Sequence, residues 1–224
     1  GSTVYYPIIE EGITLEWDRK GTPGKLKFSC IKDDVLSFQE GNPVKLSVDG
    51  TDIFYGFVFE KSRSGRTPYL IEVTAYDQLR YFKNKDTYVY SNKKANEVIK
   101  MIAEDFGLKT GKLEDTEHVI ESRTEDNATL FDIAQNALDE TLQAKTKLFV
   151  LYDNVGKLTL QKFGTLGLPQ GVSVPQQQLT ACLCAFQHGS QRIAAGLVCT
   201  LQNVCKRLSV HCLLYTSDAA DDLI

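Results

Sequence analysis

The sequence predicts an α+β protein in which a small antiparallel β-barrel is followed by a compact unit of two helices and a β-hairpin. Three observations carry that expectation. Apolar and polar residues alternate through residues 13–75; from Ala95 the apolar residues recur at helical spacing; and amino-acid usage changes abruptly near Phe163. The expected division is 1–84 for the barrel, 85–163 for the α+β unit, and 164–224 for a poorly ordered tail foreign to both.

The barrel is read from short strands separated by turn chemistry. Ile13, Leu15 and Trp17 alternate with Thr14, Glu16 and Asp18, and Leu26, Phe28 and Cys30 alternate with Lys25, Lys27 and Ser29. Successive side chains on a strand point to opposite faces, so each run has one apolar and one wet face. Gly21-Thr22-Pro23-Gly24 separates these two runs as a turn. Val44, Leu46 and Val48 form the next apolar face, and Asp49-Gly50-Thr51-Asp52 reads as a hairpin loop. The following strand is expected to present Ile53, Tyr55, Phe57 and Phe59 on one face, with Phe54 and Val58 apolar on the other. A strand with two apolar faces is central or covered. Ile71, Val73 and Ala75 follow after the loop Lys61–Pro68, and five or six such strands make a small barrel.

The α+β unit begins near Asn84 to Asp86. Ala95, Val98, Ile99, Ile102, Ala103 and Phe106 form one helical stripe, stopped by Gly107. Leu130, Ile133, Ala134, Ala137 and Leu138 form a second. Thr129 and Asp132 have capping-box spacing, with Asn127 a competing cap. Lys147–Tyr152 and Lys157–Lys162 flank the turn Asp153-Asn154-Val155-Gly156 as a closing hairpin.

Charge and motifs exclude more than they assign. A net charge of −4 argues against a dedicated nucleic-acid binder, and no apolar run approaches a membrane span. The chain opens on Gly1, not Met, which fits a processed start, a Gly-Ser tag scar or an open gene end. Neither GxxxxGK[ST] nor GxGxxG occurs. His118 is the one histidine in the first 163 residues; it lies beside an acidic run and is read as a solvated surface residue. Carboxylate pairs are too common in an acidic chain to mark a hydrolase. The basic loop Lys61–Arg66 is read as a solvated hairpin tip, the sharper reading being contact with an acidic partner. Tyr88 and Tyr90 fit a buried strand face better than an exposed aromatic contact face. Cys182, Cys184, Cys199, Cys205, His188 and His211 have CxC and Cx5C spacings rather than paired CxxC, so no metal site is assigned. No catalytic, cofactor-binding or metal residue is expected, and no cofactor.

Four blocks carry a resemblance. They run from Thr3 to Asp34, Phe38 to Lys61, Val73 to Leu108 and Arg123 to Leu142, and in order and spacing they resemble the XkdQ/YqbQ family of PBSX-like prophage tail proteins. That family is related to baseplate hub proteins of contractile tails. The resemblance implies a structural, non-enzymatic virion protein, assembled in the bacterial host cytoplasm as a homotrimer. Its expected contacts are the tail tube, the central spike and other baseplate proteins, with no nucleic-acid recognition and no membrane. A phage-tail-like bacteriocin would use such a hub equally well. The alternative is a cell-wall glycan-binding module, which a groove of exposed aromatics would favour. A wall-degrading enzyme lacks an acid–base constellation.

The last sixty residues differ in kind. Of 29 acidic residues, 26 lie at or before Asp153 and none between Asn154 and Ser217, whereas five of six cysteines follow residue 163. Cys212 to Asp222, CLLYTSDAADD, resembles an in-frame translation of a transposase-type sequencing adapter. A metagenomic fragment with a frameshifted or chimeric end past Gly164 would account for both features, and such a tail has no selected core pattern.

Overall fold

A computed structural model of the protein describes residues 3–10, 12–18, 21–163 and 210–216. Its strands comprise β1 (Thr3–Tyr5), β2 (Thr14–Glu16), β3 (Lys25–Ile31), β4 (Pro43–Val48), β5 (Thr51–Ser62) and β6 (Leu70–Tyr76), then β7 (Lys85–Lys94), β8 (Thr110–Leu113), β9 (Val119–Thr129), β10 (Phe149–Asp153), β11 (Leu158–Lys162) and β12 (Val210–Thr216). The helices are α1 (Ala95–Asp105) and α2 (Leu130–Lys145), preceded by a short 3-10 helix, Gln78–Lys83.

The first sheet has the order β1-β12-β4-β5-β6-β3-β2, antiparallel throughout. It curls on itself through the N-terminal segment. Ile9 bridges Cys30, Glu10 N donates to Ser29 O, and Ile31 N donates to Ile8 O, while a few residues earlier β1 pairs with β12. Leu15, Leu26, Cys30, Val44, Leu46 and Ala75 are all fully buried inside, as the alternation requires. The β4–β5 hairpin turns through Asp49 (φ 48°) and Gly50 (φ 77°). Two consecutive left-handed residues match the right-handed twist of a hairpin, and Gly carries the second without a Cβ clash.

One expected face is corrected. In β5 it is Phe54 and Val58, with Gly56 between them, that point into the core; Tyr55 and Phe57 are half-buried and Phe59 is exposed. The reason is a β-bulge. Leu46 pairs with Phe54 but Ser47 pairs with Asp52, so Ile53 is an extra residue and the face flips across it. Ile53 and Phe54 therefore both face inward. A second shift between Val58 and Glu60 leaves Phe59 as another extra residue.

The α+β unit has its own core. β7 and β9 form a long two-stranded ribbon, and β10-β11-β8 form a three-stranded sheet with β8 parallel to β11. Val98, Ile99 and Ile102 of α1 and Leu130, Ile133 and Ala137 of α2 are buried between them, on the faces the helical stripes predict. Thr129 is the N-cap of α2: its hydroxyl accepts from Asp132 N, which satisfies an otherwise orphaned helix N–H. The two apolar cores separate at Asp77 rather than at Asn84 to Asp86, because Leu79 and Phe82 of the 3-10 helix already pack into the second core.

β12 lies inside the stretch expected to be poorly ordered, and there the structure differs from the expectation. Val210–Thr216 is rich in strand-forming residues, and the edges of β4 and β1 offer unpaired backbone groups that such a segment satisfies. The rest of that stretch, with Cys182, Cys184, Cys199, Cys205 and His188, lies outside the described residues.

Candidate interaction surface

The residues singled out for chemistry are drawn into structural roles. His118 is half-buried rather than solvated, because its Nε2 lies 3.1 Å from Glu140 Oε1. Glu140 also takes Arg123 Nη1 at 3.1 Å, Arg123 pairs with Glu125, and Asn136 Nδ2 donates to Glu125. This network ties β9 to the face of α2. Tyr88 and Tyr90 are buried, so they form no aromatic contact face. Tyr88 Oη donates to Asp105 at 2.7 Å, and burial first, then that hydrogen bond, holds its phenol well above the usual range. The Tyr90 hydroxyl is buried with no hydrogen-bond partner. Lys61, in the basic loop, is not at a free tip: its Nζ donates to Phe38 O at 2.6 Å and sits 4.3 Å over the Phe38 ring. Arg63 and Arg66 of that loop are exposed. Cys30 is a buried free thiol, which burial pushes up to about 11, so it is inert as a nucleophile. Among the described residues no group of three His, Cys, Asp or Glu is placed to hold a metal, and no helix is long and apolar enough to cross a membrane.

The joint between barrel and α+β unit is polar and buried. Asp77 accepts from Gly24 N through Oδ2 at 2.8 Å and from Leu79 N through Oδ1 at 3.0 Å, so one carboxylate ties β3's entry to the 3-10 helix. Gln78 Nε2 donates to Asp153 Oδ2 at 2.6 Å, and Gln78 Oε1 accepts from Lys109 N at 3.2 Å. Burial pushes Asp77 well above the ordinary carboxylate range, the nearby Asp153 charge adds to it, and the two backbone donors only partly offset both. Asp153 is raised by burial as well. The β10–β11 turn presses on the barrel here: a Cβ at Gly156 would lie 2.7 Å from the Tyr55 ring. Val155 in that turn has φ 49°, a strained value for a β-branched residue.

What remains for partners is surface. Tyr6, Ile8 and Val35 are exposed by 69%, 68% and 73%, and with Ile31 and Leu36 they line one shallow hollow on the barrel wall. Its volume, about 80 Å³, is far below the roughly 300–1,000 Å³ of a small-molecule pocket. A second exposed aromatic, Phe59, stands edge-on to Tyr76 and under Arg80. The sequence reading did not single out Tyr6, Ile8 or Val35 as a surface; it did place Phe59 in a doubly apolar strand. Ile8 and Val35 fall outside clear alternation, and Phe59 is turned outward by the bulge beside it.

Comparison with known proteins places this architecture. A YqbQ-like family model matches residues 13–175. YqbQ of Bacillus subtilis strain 168, an uncharacterized protein, is 30% identical over 191 residues, covering 81% of this chain and 58% of its own length. The phage-like element PBSX protein XkdQ of the same strain is 32% identical over 165 residues, covering 71% of this chain and 50% of its own length. The chain thus spans about half the length of the curated relatives it matches. The 43 kDa tail protein of prophage MuSo2 from Shewanella oneidensis superposes with a TM-score of 0.55 at 13% identity, over 71% of this chain and 52% of that one. Sequence and architecture agree: the chain belongs to the YqbQ-like family and shares the fold of a prophage tail protein.

Proposed function

We propose that this chain is the N-terminal part of a non-enzymatic baseplate hub protein of a contractile phage tail or a phage-tail-like bacteriocin, joining the tail tube to the central spike. The observation that carries the reading is an apolar wall (Tyr6, Ile8, Val35) exposed on a barrel that is bolted to its neighbour by buried hydrogen bonds, in a family with phage-like relatives. A barrel tied to its neighbour and carrying an exposed apolar wall suits permanent assembly. Full-length protein forms a homotrimer in this reading, with one patch on each copy meeting a different patch on the next. A glycan-binding module would need exposed aromatics along a groove; Tyr88 and Tyr90 are buried and cannot line one, and the exposed Tyr6 sits in a shallow hollow instead.

Two measurements test it. Light scattering on the full-length gene product should give a trimer mass, and antibody labelling of induced particles should mark one end of the tail. Label along the tail shaft, or absence from purified particles, refutes the hub reading. Tyr6→Ser/Ile8→Ser should abolish incorporation while leaving the fold intact.

A further inference from the structure

Among the described residues, it is β12 that joins β4 to the N-terminal strand of the first sheet. Val210–Leu214 pair with β4, Leu214–Thr216 pair with β1, and Leu214 is the residue at which the two ladders meet. β12 is thus a splint laid across a seam between β4 and the N-terminal segment. On the far side of that seam, Val44, Leu46 and Val48 of β4 have their side chains in the core. Without the splint, the N–H and C=O groups along one side of β4 would lie unpaired next to that core, a configuration that folded proteins pair or cover. Yet β12 lies beyond residues 13–175, the part of the chain that matches the family, and Cys212–Thr216 fall in the adapter-like stretch. The β4 wall of the seam therefore belongs to the family-matched part of the chain, and the segment filling the seam does not.

We infer that the seam between β4 and β1 is a strand-acceptor site. Its natural occupant is a strand of the same polypeptide from the portion C-terminal to the family-matched residues. Three observations favour that occupant over a second copy. The segment seated there enters from the C-terminal side of its own chain. The curated relatives have further sequence from which to supply a strand, since the match covers only 58% and 50% of them. And the seam's two walls come from one chain, the N-terminal strand and β4, so a cis strand meets a site already assembled. Recognition is through the main chain, with side-chain alternation as the only further demand. That explains why a segment with no family match can fill the site. The inference stands apart from the hub reading, because it concerns how the barrel closes whatever the barrel is for.

Hydrogen exchange on the 224-residue chain tests it. Cys212→Pro/Leu213→Pro removes two adjacent donors, whose N–H groups point to opposite neighbours, and so opens the ladder to β4. Amides of Val44–Val48 and Val4–Tyr5 should then exchange at least about tenfold faster, while those of Ile133–Leu138 stay protected. Adding a synthetic peptide of residues 209–217 should restore protection at a ratio of one to one, and a scrambled peptide without alternation should not. One peptide from a tiled set covering the part of XkdQ outside the match should compete with it. Unchanged protection at β4 in the double variant overturns the acceptor site. Failure of every XkdQ peptide, or a dimer that forms as the wild-type chain is concentrated, overturns the proposed occupant. Should the double variant fail to fold, the wild-type chain decides alone. Its Val44–Val48 amides must then open more readily than the β3–β6 ladder, and equal protection of the two refutes the proposal.

Discussion

The barrel and the α+β unit reach the same end by different means. The α+β unit is self-sufficient: Leu79 through Leu160 supply its whole buried core, and its two helices carry uninterrupted apolar stripes. The barrel draws its core from Ile13 to Ala75, but its sheet also needs residues 3–10 from before that span and a splint from far beyond it. A unit that closes on itself can be judged from its own sequence. A unit closed by distant strands has stability that depends on segments outside its apparent boundary.

The largest expected effects test that contrast directly. Ile133→Ala, in a fully buried position of α2, should cost about 2–5 kcal/mol in a urea melt through the cavity it leaves. Leu46→Ala, equally buried in β4, should fall in the same range only if the seam is firmly closed. A clearly smaller cost for Leu46→Ala, measured on the same chain, would show that the barrel is loose there and can collapse around the gap.

The joint can be broken separately. A methyl at Gly24 would collide with the Asp77 carboxylate and come within 2.9 Å of Trp17. Gly24→Ala should cost about 1–3 kcal/mol as overpacking, and should also make two probes disagree. Trp17 is the single tryptophan and reports the barrel by fluorescence, while far-UV circular dichroism is dominated by the helices. Coincident transitions in the variant would mean the two units remain coupled without this contact.

A smaller effect follows pH. Asp77 has a folded-state pKa raised by burial, so it binds protons more tightly folded than unfolded. Its contribution is fully present below the unfolded value, about 4, and is lost as pH rises through the raised folded value. Asp77→Asn lacks that titration, although it gives up one of the two acceptors facing Gly24 and Leu79. The stability difference, wild type minus variant, should therefore be greatest in acid and shrink toward neutral pH. A difference that stays flat would show that the carboxyl is not held up by its surroundings. Asp153, raised in the same direction, should respond likewise.

The smallest prediction has the opposite sign. Val155 holds φ 49° in the β10–β11 turn, where a left-handed conformation costs an ordinary residue about 1–2 kcal/mol. Asn tolerates that region, so Val155→Asn should raise the stability measured in a urea melt, by less than about 1 kcal/mol once the lost half-buried apolar surface is subtracted. Destabilisation would show that the Val155 side chain matters more to the joint than its backbone strain.

How much of this was legible in the sequence depended on whether the signal was local. Both helices, the Thr129 cap and the inward faces of β3, β4 and β6 could be read from spacing, because each depends on residues within one element. The face of β5 could not be read, since one inserted residue at Ile53 reverses the phase and nothing in the run Ile53 to Phe59 announces a bulge. The pairing of β7 with β9 was missed because the ribbon's outer face is mostly polar and its partners are separated by all of α1. The joint was invisible for the same reason in stronger form. Its hydrogen bonds span 53 residues from Asp77 to Gly24 and 75 from Gln78 to Asp153, and each residue taken singly resembles an ordinary turn or surface position.

The turn Asp153–Gly156 bears on anyone who would graft onto this scaffold. In sequence it looks as permissive as Arg63–Pro68, for both are short polar connections between strands. They are not equivalent sites for inserted sequence. The second is exposed along most of its length and should accept an epitope or a fluorescent protein. The first is wedged against the Tyr55 ring of the barrel, with Asp153 receiving Gln78 of the 3-10 helix beside the boundary and Gly156 N at 2.7 Å. An insertion there lengthens a hinge pin rather than a loop, and the scaffold would lose its fixed angle before it lost either fold.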